Sequence, residues 1–279
     1  MIHSVPVRPE AAGCETAECN PARRLRGHVI GYGGFRSLTG RAIPHRLLPI
    51  SLAALIVDFA EEKALVTGPR AETTTNGPTT WGHGITVGLT PAGAAGLLGV
   101  PMRELTGRTV RLDELPGRWA TDLPERLAAA ATWPGRFDLL NRLLATRLGL
   151  PTAGGVCGLR GPEWAESDLA MAAWRRLQRA GGRLRIGDLA AELGVARRGL
   201  EREVRDAFGL PPGAVGRITR FQRAVQLLAE GLALAEVAIE SGYADQPHLT
   251  RETRVMAGVT PGELRAFVQH RPMAPTAVP

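Results

Sequence analysis

The sequence predicts an α+β fold with a β-rich N-terminal domain, a helical connector and an all-α C-terminal domain. Three observations lead to it. Short runs of β-branched residues, separated by glycine and proline, fill residues 25–115, a pattern typical of strands. Leucines at helical spacing follow over 123–150. A stretch with two helical patterns then occurs twice, at 186–215 and again at 234–264.

Five segments follow from these changes of pattern along the 279 residues. Residues 1–23 mix proline, glutamate, glycine and arginine without periodicity and are predicted to be a flexible tail. We assign 24–116 to the β-rich domain and 117–162 to the helical connector and linker. Residues 163–272 form the predicted C-terminal domain, and 273–279 form a short tail.

The β-rich domain is predicted to contain several short strands. Five runs rich in β-branched residues are the candidates: 28–32, 52–59, 64–67, 84–89 and 108–112. A short helix is expected over 90–98, because Thr90 can cap it, Pro91 suits its first turn and Gly99 can end it. Many short strands with one small helix indicate a partly open barrel.

The connector is predicted to contain two helices, 123–132 and 135–150, separated at Pro134. The apolar positions of the second helix make one stripe: Leu140, Leu144 and Leu148. Such a stripe either packs against the β-rich domain or forms the contact of a homodimer. The four glycines of 152–162 predict a linker, after which Ser167 is expected to cap the next helix.

The two copies of the C-terminal repeat align residue by residue. At a shift of 48, five positions match: Ile186, Leu189, Ala190, Gly194 and Val195 fall on Leu234, Val237, Ala238, Gly242 and Tyr243. One inserted residue moves the shift to 49, where Leu200, Arg202, Arg205, Gly209 and Pro212 fall on Leu249, Arg251, Arg254, Gly258 and Pro261. The match indicates one supersecondary unit used twice.

Each copy has the pattern of a helix, a tight turn and a second helix. In the first copy, Gly194 supplies the left-handed residue that the turn needs. After the turn, every fourth residue faces inward: Leu200, Val204 and Phe208 in the first copy, and Leu249, Thr253 and Ala257 in the second. This is the pattern of a helix-turn-helix. The alternative is a helical hairpin with a solvated charged face, which two copies in register make less favourable.

The outward faces of the two second helices carry side chains that can contact DNA. These candidate residues are Arg197, Arg198, Glu201, Arg202 and Arg205 in the first copy, and Gln246, Thr250, Arg251 and Arg254 in the second. Arginine can grip guanine at O6 and N7, and glutamine can pair with adenine. Glutamate can accept a hydrogen bond from cytosine, and threonine can touch the thymine methyl group.

A long helix over 214–230 is predicted to join the two copies. Its apolar stripe consists of Ile218, Phe221, Val225 and Leu228, and Gly231 ends it. Seventeen residues at 1.5 Å each give a length of about 25 Å. That length suits two units placed on one face of DNA about one helical turn, roughly 34 Å, apart.

Residues 166–270 resemble the DNA-binding domain of AraC/XylS-type bacterial transcription regulators. The motif that carries the resemblance covers 235–251 and continues over 257–262. The resemblance implies two helix-turn-helix units that place their reading helices in successive major grooves of double-stranded promoter DNA. It further implies that six side chains meet base edges: Arg198, Glu201 and Arg202, then Gln246, Thr250 and Arg251.

The chain departs from this family pattern at two positions. Ala196 replaces the usual capping serine, so the first reading helix lacks a side-chain cap. Thr253 replaces the usual aromatic residue, so a thinner core is expected in the second unit. The cap of the second reading helix, Asp245 ahead of Pro247, follows the general rules for helix starts.

Residues 44–49 and 88–100 resemble the cupin-like N-terminal domain of one subgroup of AraC-type regulators. The resemblance implies a sensing or regulatory role, with no ligand assigned. The subgroup often has Asp-Gly after the second proline of the first motif, where this chain has Ile50 and Ser51. We therefore expect a different turn at that point.

The net charge of +7 comes from 34 basic residues, of which only Lys63 is a lysine. Arginine suits contact with phosphates and guanine, although a GC-rich genome would also favour it. The charge is uneven between the copies. Residues 175–223 contain 12 arginines and 5 acids, and 224–271 contain 4 arginines and 6 acids. The first copy should therefore supply most of the attraction to DNA phosphates.

No catalytic residues, metal ligands or cofactor are predicted. His28, His45 and His83 occur singly, and no second pair of ligands accompanies Cys14 and Cys19. Hydrolase, phosphate-loop and zinc-protease motifs are missing from the sequence. No apolar run approaches the roughly 20 residues of a membrane span, and no leader pattern opens the chain. A cytoplasmic location without membrane contact is expected.

The sequence thus predicts a DNA-binding transcription regulator that is not an enzyme. Control by a small-molecule effector or by dimerisation through 135–150 is considered, and RNA polymerase is a candidate partner. Two alternatives remain open. One is a cupin-like metal- or ligand-binding enzyme with an appended DNA-binding tail. The other is a protein-interaction adaptor that no longer binds DNA.

Overall fold

A computed structural model describes residues 1–7, 14–74, 79–116, 122–151 and 169–269. The predicted linker 152–162, the capping residue Ser167 and the tail 273–279 lie outside these ranges. The α+β class is confirmed, with strands in the N-terminal part and helices in the C-terminal part.

Two antiparallel sheets form the N-terminal part. Its strands are β1 (Ser4–Pro6), β2 (Cys14–Cys19), β3 (Val29–Ser37), β4 (Ile43–Leu47), β5 (Ala53–Asp58), β6 (Lys63–Thr67), β7 (Thr80–Trp81), β8 (His83–Leu89) and β9 (Thr109–Arg111). One sheet has the order β2-β3-β8-β5-β6-β9, and the other has the order β1-β4-β7. All five predicted strands are confirmed as β3, β5, β6, β8 and β9.

The predicted flexible tail is wrong for the described residues of 1–23. β1 pairs with β4, with Ser4 opposite Leu47, and β2 pairs with β3, with Thr16 opposite Phe35. β4 and β7 were also not predicted. These strands are short, and three of them (β1, β2 and β7) are edge strands, so the partner strand rather than the local alternation of residues determines where they form.

β5 is buried along its whole length because it lies between β8 and β6 in the larger sheet. It ends at the buried Asp58, whose carboxylate accepts backbone N–H groups from Ala60 at 2.8 Å, Glu61 at 3.1 Å and Gly82 at 3.0 Å. Burial of a charged group is tolerated here because its oxygens are hydrogen-bonded. The side chain closes the turn out of the strand.

The helices are α1 (Pro91–Gly93), α2 (Leu123–Ala129), α3 (Trp133–Arg147), α4 (Leu169–Arg179), α5 (Ile186–Glu192), α6 (Arg197–Phe208), α7 (Pro212–Ala229), α8 (Leu234–Ser241), α9 (Gln246–Ala257) and α10 (Pro261–Gln269). The predicted cap is confirmed at α1, where Thr90 Oγ1 accepts the N–H of Gly93 at 3.0 Å. A π turn, Ala94–Leu98, continues α1 and ends at Gly99.

The connector helices differ slightly from the prediction. Pro134 lies in the first turn of α3, whose cap is Thr132, instead of between two helices. Leu140 and Leu144 are completely buried within the chain, and Leu148 is half-buried. Their burial supports packing of this stripe against the β-rich domain. None of the helices in the described ranges is both long and apolar enough to cross a membrane.

Candidate nucleic-acid interface

The first helix-turn-helix unit consists of α5, a turn at Gly194 and the reading helix α6. Gly194 has φ of +68°, a backbone conformation that residues with a side chain rarely adopt. The inward face of α6 is fully buried, as its spacing predicts: Leu200, Val204 and Phe208. No side chain caps α6 at Ala196, which confirms the expected departure from the family pattern.

The second unit repeats this arrangement with α8, a turn at Gly242 and the reading helix α9. The carboxylate of Asp245 caps α9 by accepting the N–H of His248 at 2.7 Å. Thr253 is 1% exposed, and its hydroxyl donates to the carbonyl of Leu249 at 2.8 Å. The polar group at the expected aromatic position is therefore satisfied within its own helix.

The joining helix α7 begins two residues before the predicted range and ends one residue before its end. Its predicted stripe is buried: Ile218, Phe221, Val225 and Leu228. Two polar contacts tie α7 to its neighbours. Gln178 of α4 donates to Thr219 Oγ1 at 2.7 Å, and Arg217 pairs with Glu252 of α9. α7 is thus fixed to both halves of the domain.

The structure leaves the predicted DNA-contacting residues on the surface. Seven of them are exposed and Glu201 and Thr250 are half-buried; the exposed ones are Arg197, Arg198, Arg202, Arg205, Gln246, Arg251 and Arg254. Three internal contacts involve this set. Arg197 Nε pairs with Glu201 Oε1 at 2.9 Å, and Arg202 Nη2 lies 3.6 Å from an oxygen of Glu203. Thr250 Oγ1 donates to the carbonyl of Gln246 at 2.9 Å.

Contacts between the two domains were not found by sequence reasoning. Trp174 Nε1 of α4 donates to Ser51 Oγ at 3.0 Å. Gln222 of α7 accepts the N–H of Ile2 at 2.8 Å and donates to the carbonyl of Pro49 at 2.8 Å. These bonds join residues 123 to 220 positions apart, so no local pattern could have indicated them.

A cavity of about 540 Å³ lies between the β-rich domain and α10. Its lining is mainly apolar and includes Tyr32, Phe35 and Trp81 from the sheets and Phe267 and Val268 from α10. Sequence reasoning predicted a barrel but no cavity, because the walls come from segments far apart in the chain.

Two histidines, the half-buried His3 and the buried His45, also line this cavity. His3 Nε2 lies 2.8 Å from Thr67 Oγ1, and His45 Nδ1 lies 2.9 Å from the carbonyl of Ile43. Burial, with a smaller effect of the Arg70 charge, lowers the pKa of His3 to about 3. Burial also lowers the pKa of His45 to about 4. Both side chains are therefore neutral near pH 7 and act as uncharged hydrogen-bonding groups.

Over the residues that the structure describes, no group of three or more His, Cys, Asp or Glu side chains is placed to hold a metal ion. His45 uses one ring nitrogen on a carbonyl group, and His83 packs edge-on against Phe59 and Trp133. These histidines contribute to packing and to internal hydrogen bonds.

The comparisons with known proteins bear on the C-terminal part. Residues 189–266 match the family model of a helix-turn-helix domain. None of the curated proteins matches the chain. The three solved structures described below have low sequence identity and low TM-scores. The match to a helix-turn-helix domain therefore depends on the family model alone.

Three solved structures are similar in part. The C-terminal domain of AraT, a response regulator from Geobacillus stearothermophilus, is 22% identical, with a TM-score of 0.35, 40% of this chain covered and 93% of that chain. A DNA-binding transcriptional dual regulator from Escherichia coli K-12 is 20% identical, with a TM-score of 0.34, 38% of this chain covered and 96% of that chain. ToxT from Vibrio cholerae O395 is 11% identical, with a TM-score of 0.41, 95% of this chain covered and 96% of that chain.

The geometry and the family match lead to the same assignment. Two helix–turn–helix units occur in register, each with a buried inner face and an exposed basic or polar outer face, and one long helix joins them. The family model covers both reading helices. Residues 189–266 of this chain thus match a helix-turn-helix domain, and the two units of this region have the corresponding arrangement.

Proposed function

We propose that the protein is a sequence-specific transcription regulator that binds double-stranded promoter DNA with α6 and α9 in successive major grooves. One observation carries the proposal. The two reading helices bury their apolar faces and expose their arginine-bearing faces at equivalent positions of the repeat. An exposed basic helix after a tight turn is the arrangement that reads base edges in helix-turn-helix proteins.

We assign base reading to six side chains in the first halves of the two helices, because the N-terminal part of a recognition helix contacts base edges. They are Arg198, Glu201 and Arg202 on α6, and Gln246, Thr250 and Arg251 on α9. The remaining exposed arginines, Arg197, Arg205 and Arg254, would bind phosphates and fix the register of the protein on the duplex.

Regulation is proposed for the β-rich domain, which would include the strands of residues 1–19 and extend to residue 116. Its cavity would hold a small ligand with an apolar body, since Phe35, Trp81 and Phe267 line it. A ligand there would touch both domains, because Phe267 belongs to α10 of the DNA-binding domain, for which we propose the range 163–272.

The proposed role of α3 is internal packing, since Leu140 and Leu144 are completely buried. A homodimer through 135–150 would have to use the exposed side of this helix, where Arg142 and Thr146 lie. Light scattering at micromolar concentration distinguishes a monomer from a dimer. Contact with RNA polymerase would be a separate property of the DNA-bound protein.

Selection of duplexes by the full chain from a random pool, followed by footprinting, tests the proposed function. We expect an enriched motif read in two major-groove segments about 10 base pairs apart. Binding should weaken steeply as salt rises, because phosphate contacts release counterions. Recovery of no motif, together with weak and salt-insensitive binding, would reject the regulator and favour the adaptor alternative.

A further inference from the structure

Both reading helices end against the β-rich domain, and an arginine of that domain binds each end. Arg103 Nη1 donates to the carbonyl of Asp206 in the last turn of α6 at 3.4 Å. Arg46 Nη1 donates to the carbonyl of Ala257, the last residue of α9, at 2.6 Å. Arg46 belongs to β4, and Arg103 lies in the 3-10 turn Met102–Leu105. Two separate segments of one domain thus bind the last turns of both reading helices.

The residues after the two helices confirm that the same point of each copy is docked. Gly209 and Gly258 are equivalent at the shift of 49 and have φ of +70° and +69°. A Cβ atom at Gly209 would lie 1.9 Å from Thr106 Oγ1. A Cβ atom at Gly258 would lie 2.6 Å from Arg46 Nη1. The positive φ favours glycine at both positions, and at Gly209 the Arg103 Cα, 2.9 Å from such a Cβ, also leaves no space for a side chain.

Arginine suits these positions for a general physical reason. The last four carbonyl groups of a helix have no partner within the helix, and the C-terminal end carries partial negative charge. A guanidinium group satisfies such a carbonyl and is attracted by the helix dipole. A neutral N–H donor in the same place could also bind the carbonyl, but it would carry no positive charge to interact with the helix dipole.

The docked ends are opposite to the ends that would read DNA. Arg198 and Arg202 lie in the first half of α6, and Gln246 and Arg251 lie in the first half of α9. Docking therefore leaves the proposed base-reading side chains exposed. Gln222 of α7 also binds the β-rich domain. In the sequence it lies between Asp206 and Ala257, the two residues whose carbonyls the arginines bind.

We propose that Arg46 and Arg103 are positioning residues for DNA binding: by holding the C-terminal ends of both reading helices on one domain, they set the relative orientation of α6 and α9. This inference rests on the proposed function. It makes the β-rich domain part of the device that fixes the spacing between the two half-sites. Preorganisation of this kind raises affinity by lowering the entropy lost on binding.

Hydrogen exchange of the full chain tests, without DNA, whether Arg46 and Arg103 hold the C-terminal ends of the two reading helices. The variants are Arg46→Ala, Arg103→Ala and the double variant, with Arg41→Ala, an exposed arginine of the same domain, as the control. In the double variant we expect exchange about tenfold faster or more in the last turns of α6 and α9, with their first turns unchanged. Exchange equal to that of the control in those last turns would overturn the proposal.

DNA binding supplies the second measurement, with a duplex selected by the wild-type chain and versions of it carrying one or two extra base pairs between the half-sites. The double variant should bind the selected duplex about tenfold more weakly and discriminate less between spacings. Its dependence on salt should equal that of the wild type, since neither arginine touches phosphate in the proposed arrangement. A reduced salt dependence would assign both arginines to phosphate binding and overturn the positioning role.

A conservative variant guards against a general loss of folding. Arg46→Lys combined with Arg103→Lys keeps the charge and one donor at each helix end, and should restore most of the affinity and of the preference for one spacing. If the lysine variant behaves like the alanine variant in exchange and in spacing preference, charge at the helix ends is not what holds them, and the proposal fails. If the wild type selects no duplex but exchange changes as expected, the proposed DNA-binding function is rejected. The result would still show that Arg46 and Arg103 hold the ends of both helices.

Discussion

Arg217 of the joining helix and Glu252 of the second reading helix form a two-point ion pair. Arg217 Nε donates to Glu252 Oε2 at 2.7 Å, and Nη2 donates to Oε1 at 3.2 Å. The side chains are 35% and 21% exposed, so water screens the pair only in part. Because Glu252 raises the pKa of Arg217 through this hydrogen bond, the arginine stays charged. The pair orients α9 on α7.

This ion pair should contribute to stability in a way that a double-mutant cycle detects. Arg217→Ala, Glu252→Ala and the double variant are expected to show a coupling free energy of about 1 kcal/mol in urea unfolding, because the pair is bidentate and partly desolvated. The exposed pair Arg111 and Asp113 is the control and should show weaker coupling. Equal coupling in both pairs would contradict this prediction.

The first reading helix should dominate affinity for DNA. Arg202 lies in the region with 12 arginines and 5 acids, and Arg251 lies in the region with 4 arginines and 6 acids. We expect Arg202→Ala to weaken binding to a selected duplex more than Arg251→Ala does at fixed salt, with at least about a tenfold loss. Arg142→Ala, on the exposed side of α3, should have little effect. The reverse order of the two reading-helix variants would refute the charge argument.

The uncapped start of α6 offers a stabilising substitution. Ala196 has extended backbone geometry but no side-chain hydrogen bond, whereas Asp245 at the equivalent position of α9 accepts the N–H of His248. Ala196→Ser should raise the free energy of unfolding by about 0.5–1 kcal/mol, and Asp245→Ala should lower it by about 1 kcal/mol. Urea denaturation measures both changes. A destabilised serine variant would show that the geometry at residue 196 does not permit capping.

Thr253 should tolerate loss of its hydroxyl. The side chain is buried, and its only hydrogen bond in the described structure goes to the Leu249 carbonyl one turn earlier, which already belongs to the helix. Thr253→Val keeps the shape and removes the polar group, so the free energy of unfolding should change by less than about 1 kcal/mol. Thr253→Ala, which leaves a cavity, is expected to cost more. A large loss for the valine variant would show that the hydroxyl has a further role.

Stability should fall on the acidic side of neutrality because of His45. The ordinary histidine pKa is 6.5, and burial lowers it to about 4 in the folded protein. Between these values the unfolded chain binds a proton that the folded chain does not, so stability decreases as the pH falls from about 6.5 to about 4. The slope contributed by one such group approaches about 1.4 kcal/mol per pH unit.

The variant His45→Gln removes this titration and should flatten the dependence of unfolding free energy on pH in that window. Urea unfolding at several pH values between about 4.5 and 8.5 measures it. Above about pH 8, where His45 is neutral in both states, the slopes of variant and wild type should agree. Equal slopes at pH 5 would contradict the depressed pKa. His3, with a pKa of about 3, adds to the wild-type slope in the same direction.

Much of the C-terminal domain could be predicted because its signals are local. Leu200, Val204 and Phe208 are spaced four residues apart. Residues at this spacing lie on the same face of an α-helix, so the sequence alone identifies the buried face. Gly194 and Gly242 mark the turns because only glycine adopts their backbone conformation without strain. The second copy confirms the first, so the two units and the joining helix follow from the sequence.

The N-terminal domain was predicted less completely. The buried central strand β5 has a strong β-branched pattern, but β1 is three residues long and exists because Ser4 pairs with Leu47. The departure at Ile50 and Ser51 had an unforeseen consequence. Ser51 is completely buried and accepts the indole N–H of Trp174 from the other domain. A local pattern cannot report a partner 123 residues away.

The sequence by itself thus determined the helices of the two repeats and the helix that joins them, where the reading helices turn and which of their side chains stay exposed, since each follows from spacing within one or two turns. The tertiary structure alone decided that Arg46 and Arg103 bind the ends of α9 and α6, over separations of 211 and 103 residues. The physical reason is the range of the forces. Helix periodicity and glycine backbone freedom act between neighbouring residues, whereas docking of one domain on another depends on which surfaces the completed fold brings together.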